Sequence, residues 1–505
     1  MKRSMLWLAG TAGAVATFAA LVPAQVAAQE RQLGTIDFPN SGAPEAQADF
    51  IEGVLLLHSF EFADAARAFI RAQEVDPDFA LAFWGEAMTY NHPLWREQDR
   101  EAALDALDRY APTAADRQAK APTEREAAYL GTLDVLYGEG AKADRDMAYM
   151  GAMGRLSAAY PNDHEARSFH SLSILGSTDG ERDFATYMRA AAVAQPVFDA
   201  NPNHPGAVHY IIHSFDDPIH APLGLKAARA YSGIAPDAGH AQHMTSHIFV
   251  AMGMWDDVVD ANIRARDVQN AGNIARGGRA NVCGHYTSWL HYGWLMQGDL
   301  TGAEQGMADC QDRISSGTAS QSEMGYYVNM RARHVLDTED WSAATRWSTS
   351  VDDRPGYDFI TAYAALQLGE RAAAADAAAR IDEADQRPRV QILRLQLDAL
   401  MALDDGDADL AIALLTEATQ IEESLPFEFG PPASLKPPHE LLGEVAMQVG
   451  DHHRAITAFE RSLSFTPERT HSLAGLVSAA RALDRTAVAD DAQARLDDIR
   501  SGGHD

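Results

Sequence analysis

The chain has 505 residues, too many for one compact core and ordinary for several domains or one repeat array. Its composition, 46% hydrophobic and 22% charged with abundant alanine, suits a folded helical protein. A formal charge of −31 repels phosphate backbones and so argues against nucleic acid as a partner.

In chain order, residues 1–28 read as a signal peptide. Lys2 and Arg3 form a basic start, Leu6 to Val22 an apolar stretch, and Val26-Ala27-Ala28 a cleavage site. Removing those two cations and no acid takes the net charge from −31 to −33. The mature chain is then expected in the periplasm or outside the cell, and not as an integral membrane protein. Residues 29–45 read as an extended segment. From Ala46 a helix pair is marked by Gly53, Ala65, Phe69, Ala72 and Pro77, and residues 46–160 continue in this way. Residues 161–315 form a histidine-rich central part, in which Pro236 sets the start of one pair at Pro205 and of the next at Gly239. Residues 316–424 hold further helix pairs, one turning at Gly406-Asp407. Residues 425–438 contain Pro426, Pro431, Pro432, Pro437 and Pro438, so they cannot be helix throughout. They read as a linker or as a loop over a groove. From Lys436, Gly443, Ala455, Phe459 and Pro467 repeat the first spacing, and residues 439–505 close the chain. Runs of alternating β-branched residues are missing, so no strand is expected.

This pattern resembles the tetratricopeptide-repeat (TPR) superfamily, whose 34-residue unit is a helix hairpin with small residues at 8, 20 and 27, an aromatic at 24 and proline at 32. The resemblance covers most of Ala46 to Leu496 and implies an all-α right-handed solenoid of antiparallel helix hairpins. It also implies a concave groove that takes a peptide or protein partner. The segments Phe83–Trp95 and His243–Phe249 are similar to those of exported bacterial TPR-like proteins, a group without a settled activity.

The histidines carry the chemistry. His209 and His213 lie four residues apart, as do His243 and His247, and the second pair follows the first by 34 residues. Four residues are about one turn, so each pair lies on one helix face. On the repeat register the four occupy positions 5 and 9, which the resemblance assigns to the groove. Two such pairs on adjacent helices can converge on a transition metal, with zinc, copper and iron the candidates. Polar lining of a metal-free peptide groove and packing histidines are the competing readings. Further groove residues are His240 and His285 at position 2, His58 and His92 at 13, and Trp84 at 5. Glu86, at 7, reaches the site only if the superhelix curls tightly. Asp216, Asp217 and Asp237 are nearby acceptors that could orient imidazoles.

Whether the protein is an enzyme stays open. There is no HExxH, P-loop, GxGxxG, GxSxG or CxxC. Cys283 and Cys310 could form a disulfide across a hairpin or stay as buried thiols, and Cys283 is a weaker metal candidate beside His285.

Overall fold

The computed structural model describes residues 31–178, 182–348, 354–381 and 385–502. The expected signal peptide lies outside the described residues. The rest is all-α: helices follow one another in hairpins from Gln47–His58 and Phe62–Val75 to Thr470–Ala482 and Thr486–Ser501. The exception is a two-residue antiparallel ladder, Asn91–His92 against Glu97–Gln98, where no strand was expected. It forms after Pro93 prevents helix Ala80–Met88 from continuing. No helix among the described residues is long and apolar enough to cross a membrane.

Small residues let the helices of a hairpin touch. A Cβ on Gly53 would sit 2.8 Å from the Phe69 ring, and one on Gly85 would sit 2.3 Å from it. Phe69 therefore fills a slot between two glycines, and it is fully buried. Phe459 is held in the same way by Gly443 and Gly475, at 2.7 and 2.3 Å. The equal spacing at both ends of the chain is the physical content of the repeat. Hairpin turns use glycine in the left-handed region, as at Gly253 (φ 68°) and Gly450 (φ 81°). Phe60, the equivalent residue of the first hairpin, adopts φ 55° without being glycine.

The solenoid closes on itself. Helix Gln47–His58 packs against Pro205–Phe215, four hairpins further on, and His285–Gln297 meets Thr486–Ser501. The space between is filled by the segment that precedes the first hairpin. Residues 32–43 run extended, with Leu33 and Phe38 buried. This strap pairs with distant backbone: the Thr35 amide donates to the Asn203 carbonyl at 2.9 Å, and the Gln32 amide to the Asp237 carboxylate at 2.7 Å. Phe38 packs on Phe50, Trp84 and Tyr129 with ring centroids 5.5, 5.9 and 5.2 Å away.

A buried charge network ties the C-terminal repeat to the middle. The Arg469 guanidinium donates to Glu440 at 2.8 Å and to Asp337 at 2.5 Å, and Lys436 donates to Glu440 at 3.0 Å. Burial alone would raise the Glu440 pKa, but Arg469 and Lys436 hold it well below the usual carboxylate range. Cys283 and Cys310 are joined as a disulfide, with Cα atoms 4.7 Å apart, so Cys283 is not a ligand.

Candidate metal centre

Helix Pro205–Phe215 begins where proline can open a helix, and the His204 imidazole caps it by accepting from the Ala207 amide at 3.2 Å. Helix Gly239–Ala251 follows one repeat later. Their inward faces bring His209, His213, His243 and His247 into the interior, where all four are buried. His240, on the first turn of the second helix, and His285, at the start of His285–Gln297, join them.

The six rings fall into two neighbouring groups. In the first, one ligating atom each of His209, His213 and His240 lie within 4.8 Å of one another. The Nε2 atoms of all three are buried without a hydrogen-bond partner among the described residues. Buried polar atoms are rarely left so, and these three lie close enough together that they could hold a metal ion. In the second group, His243 Nε2 lies 3.2 Å from His247 Nε2 and 2.9 Å from His285 Nε2.

Acceptors behind the rings fix the tautomers. His209 Nδ1 donates to the His58 carbonyl at 2.6 Å. His213 Nδ1 and His247 Nδ1 donate to the same Asp216 carboxylate oxygen, at 3.2 and 3.0 Å. His243 Nδ1 donates to Asn262 Oδ1 at 2.8 Å, and Asn262 is itself oriented by donating to the Val258 carbonyl at 2.8 Å. A proton held on Nδ1 leaves the Nε2 lone pair bare, which is the ligand form. Asp216 is anchored by Arg182, whose guanidinium lies 2.6 Å away. Burial would raise the Asp216 pKa, but Arg182 and the two imidazole donors hold it well below the usual carboxylate range.

Burial favours the neutral form of His209, His213, His240, His243 and His285. Burial, with the neighbouring rings adding to it, lowers His209, His240 and His243 well below their ordinary value. His285 is pushed down to about 3 by burial and by His247. In His213 burial outweighs the opposing pull of Asp216. Aromatic walls surround the groups. Phe60 lies 4.3 Å from His209 between ring centroids, Trp289 stacks on His247 at 4.7 Å, and Phe429 lies 4.7 Å from His247. Phe429 belongs to the proline-rich segment, which is fastened by Arg333 donating to the Pro432 carbonyl at 2.9 Å. Trp95 borders His240, at 5.9 Å, from the opposite edge.

The other sequence candidates serve the frame. His58 is buried beside Glu165 (2.6 Å) and Tyr210 (2.8 Å), and Glu165 also accepts from His204 at 3.0 Å. Although His58, Glu165 and His204 could also group around an ion, their nitrogens and carboxylate oxygens are already partnered, which makes them a clasp. Glu86 does not reach the histidines: it accepts from Arg109 and from Gln73 inside its own hairpin pair. Trp84 does meet a groove occupant, but that occupant is Phe38 of the strap. His92 stacks on Phe62 at 4.1 Å, at the rim. Of the three acidic candidates, Asp216 orients imidazoles, Asp217 holds His220 at 2.9 Å and Asp237 holds the strap. Arg182, Asn262, Phe60 and Trp289 were not singled out for these roles. Only Trp289 had a spacing signal, one turn after His285 on the same helix face.

No protein-family model matches the chain, and no curated protein matches it. Among solved structures it is similar to the TPR domain of P58(IPK), with 13% identity and a TM-score of 0.22 over 88% of this chain and 99% of that one. It is similar to yeast Tom70, with 12% identity and a TM-score of 0.31 over 88% and 96%. It is also similar to Cut9-Hcn1 of the APC/C, with 10% identity and a TM-score of 0.35 over 88% and 78%. The architecture is TPR-like. It rests on this chain's own hairpins and glycine slots, since likenesses at such scores carry no argument about ligands.

Proposed function

We propose that this is an exported transition-metal protein whose metal is held inside a TPR-like solenoid by His209, His213 and His240. The observation that carries the reading is the set of three buried Nε2 atoms without a partner among the described residues. Zinc, copper and iron are the metals such a nitrogen set takes. Three imidazoles leave a coordination position open, at which a metal can activate water or another small ligand. Export is supported by residues 1–28 and by the Cys283–Cys310 bond, since disulfides persist in oxidising compartments. The metal-free alternative, a groove lined by histidines for a peptide or envelope protein, fits less well. These histidines are buried, and the strap already fills part of the interior.

The test is elemental analysis of protein purified without a histidine tag or chelator. At least one equivalent of metal is expected per chain, with its loss in a His209→Ala/His240→Ala variant. A metal-free wild type that also takes up no zinc, copper or iron would sink the reading.

A further inference from the structure

We propose that the proline-rich segment between helices Ala408–Ser424 and Pro438–Gln448 is a gate on the histidine interior, and that the Phe429 ring is its closing part. The gate stands on packing and needs no metal; it rests on the reading above only in giving an entering molecule a metal to meet. Phe429 faces two ways. It is 43% exposed, yet its ring centroid lies 4.7 Å from that of His247 and 6.2 Å from that of His213. Those two imidazole residues are only 3% and 4% exposed. One half-buried ring thus stands between solvent and a ring of each histidine group.

The segment is shaped for this seat. Gly430 follows at φ 96°, in the region that favours glycine. A Cβ there would lie 2.3 Å from the Trp289 ring, which itself stacks on His247. The backbone therefore rests directly on Trp289, and only glycine lets Phe429 reach the histidines. One cavity, of about 20 Å³, touches Asp216, the carboxylate bonded to His213 and His247. A second, of about 90 Å³, lies beside Arg389 and the exposed Glu428. Phe427, Gly430 and Pro432 border both, so the segment is the partition between them.

The tip of the segment is lightly held. Among the described residues, the backbone of residues 426–436 makes no hydrogen bond to other backbone. The base is fixed. Arg333 donates to the Pro432 carbonyl at 2.9 Å and Gln396 to the Lys436 carbonyl at 2.8 Å, and Lys436 is buried against Glu440. Toward the tip the polar tie is Arg389 donating to Glu428 at 2.5 Å. These side chains are 36% and 59% exposed, and surface pairs of this kind contribute little. Phe429 can therefore lift while Pro432 stays fastened, which opens a way to His213 and His247 without disturbing the helices.

The experiment is labelling of chelator-treated, full-length mature protein with diethyl pyrocarbonate, a small uncharged reagent for imidazole, mapped by peptide mass spectrometry. Phe429→Ala removes the closing ring. Gly430→Ala keeps it but drives a methyl group into Trp289. Losing a half-buried phenyl contact should raise the labelling rate of His213 and His247 about tenfold in Phe429→Ala. A rise at the same two rings is expected in Gly430→Ala. Exposed His453 and buried His58 should keep their rates in both variants. Unchanged rates at His213 and His247 in either variant would overturn the gate. So would a rise at His58 as large as that at His213, which is general loosening, or wild-type labelling of His213 as fast as that of His453. Failure of the metal reading looks different: a protein that binds no metal but shows this selective labelling keeps the gate and loses only the metal.

Discussion

Asp216 is the residue on which the centre turns. Its carboxylate can only accept, so the two imidazoles behind which it sits must turn their lone pairs inward. In Asp216→Asn the amide loses the charge, and its one oxygen cannot serve both the imidazoles and Arg182. Metal affinity is expected to fall about 10–100-fold, the usual cost of losing a partner behind a ligand. Competition with a chelator of known affinity would measure it, and an unchanged affinity would show that Asp216 orients nothing. Phe60 allows a second test. Its backbone occupies the left-handed region while its ring walls His209. Phe60→Ala loses the ring and keeps the strain, whereas Phe60→Gly loses the ring and relieves it. The glycine variant should therefore be the more stable of the two by about 1–2 kcal/mol, read from urea denaturation. The order is opposite to that found in an ordinary helix.

His291 and His334 contribute pH dependence away from the centre. His291 Nε2 and His334 Nδ1 lie 3.2 Å apart, and burial lowers both rings below their ordinary value. Between that value, 6.5, and their lowered folded values, the unfolded chain binds more protons than the folded one. Stability from this pair is thus complete above about pH 6.5 and is lost as the pH falls. His291→Gln should flatten the acid limb of the stability profile by up to about 1.4 kcal/mol per pH unit, one proton's worth. An identical slope in denaturation at pH 7.5 and 5 would rule the pair out.

Among the elements, the helix pairs at the two ends obey the same rule, an aromatic ring lodged between glycines of adjacent hairpins. Their junctions differ. Between Gln321–Thr338, Pro438–Gln448 and Thr470–Ala482, Arg469 joins Glu440 to Asp337 out of contact with water. Arg469→Met should cost about 3–5 kcal/mol, because it leaves two buried acids with less compensation. A midpoint unchanged in urea would contradict this. The repeated helices, their turns and the paired histidines were legible in the sequence because each depends on local spacing. His209, His213, His243 and His247 share one register, and it marked them. Their division into two groups was not legible. It depends on His240 and His285, each on a helix's first turn, and on Asp216 in the turn that follows Phe215. The proline-rich loop was readable as non-helical, but the contact of Phe429 with His247 spans 182 positions and leaves no periodic trace.

At the scale of the whole molecule, the strap changes what kind of protein this is. An open solenoid is stabilised by contacts between neighbouring repeats, so its ends can fray independently. Here the helix Gln47–His58 packs on Pro205–Phe215, and the strap, with Phe38 lodged against Phe50, reaches the Asn203 carbonyl through the Thr35 amide. Phe38→Ala should cost about 3–5 kcal/mol. Amide exchange should accelerate together in Gln47–His58 and Pro205–Phe215, and acceleration in the first helix alone would show that the two are uncoupled.

The strap also sets an order of events. Gln32 is made early, yet its partner Asp237 lies 205 residues further along. Joining ends so far apart costs on the order of 5 kcal/mol in chain entropy. The Gln32 end of the strap thus has no partner until nearly half of the protein has followed it, although Phe38 can already pack on Phe50, Trp84 and Tyr129. Until then Leu33, buried in the folded protein, is an uncovered apolar residue, a condition in which a newly made chain is open to chaperones and to other copies of itself.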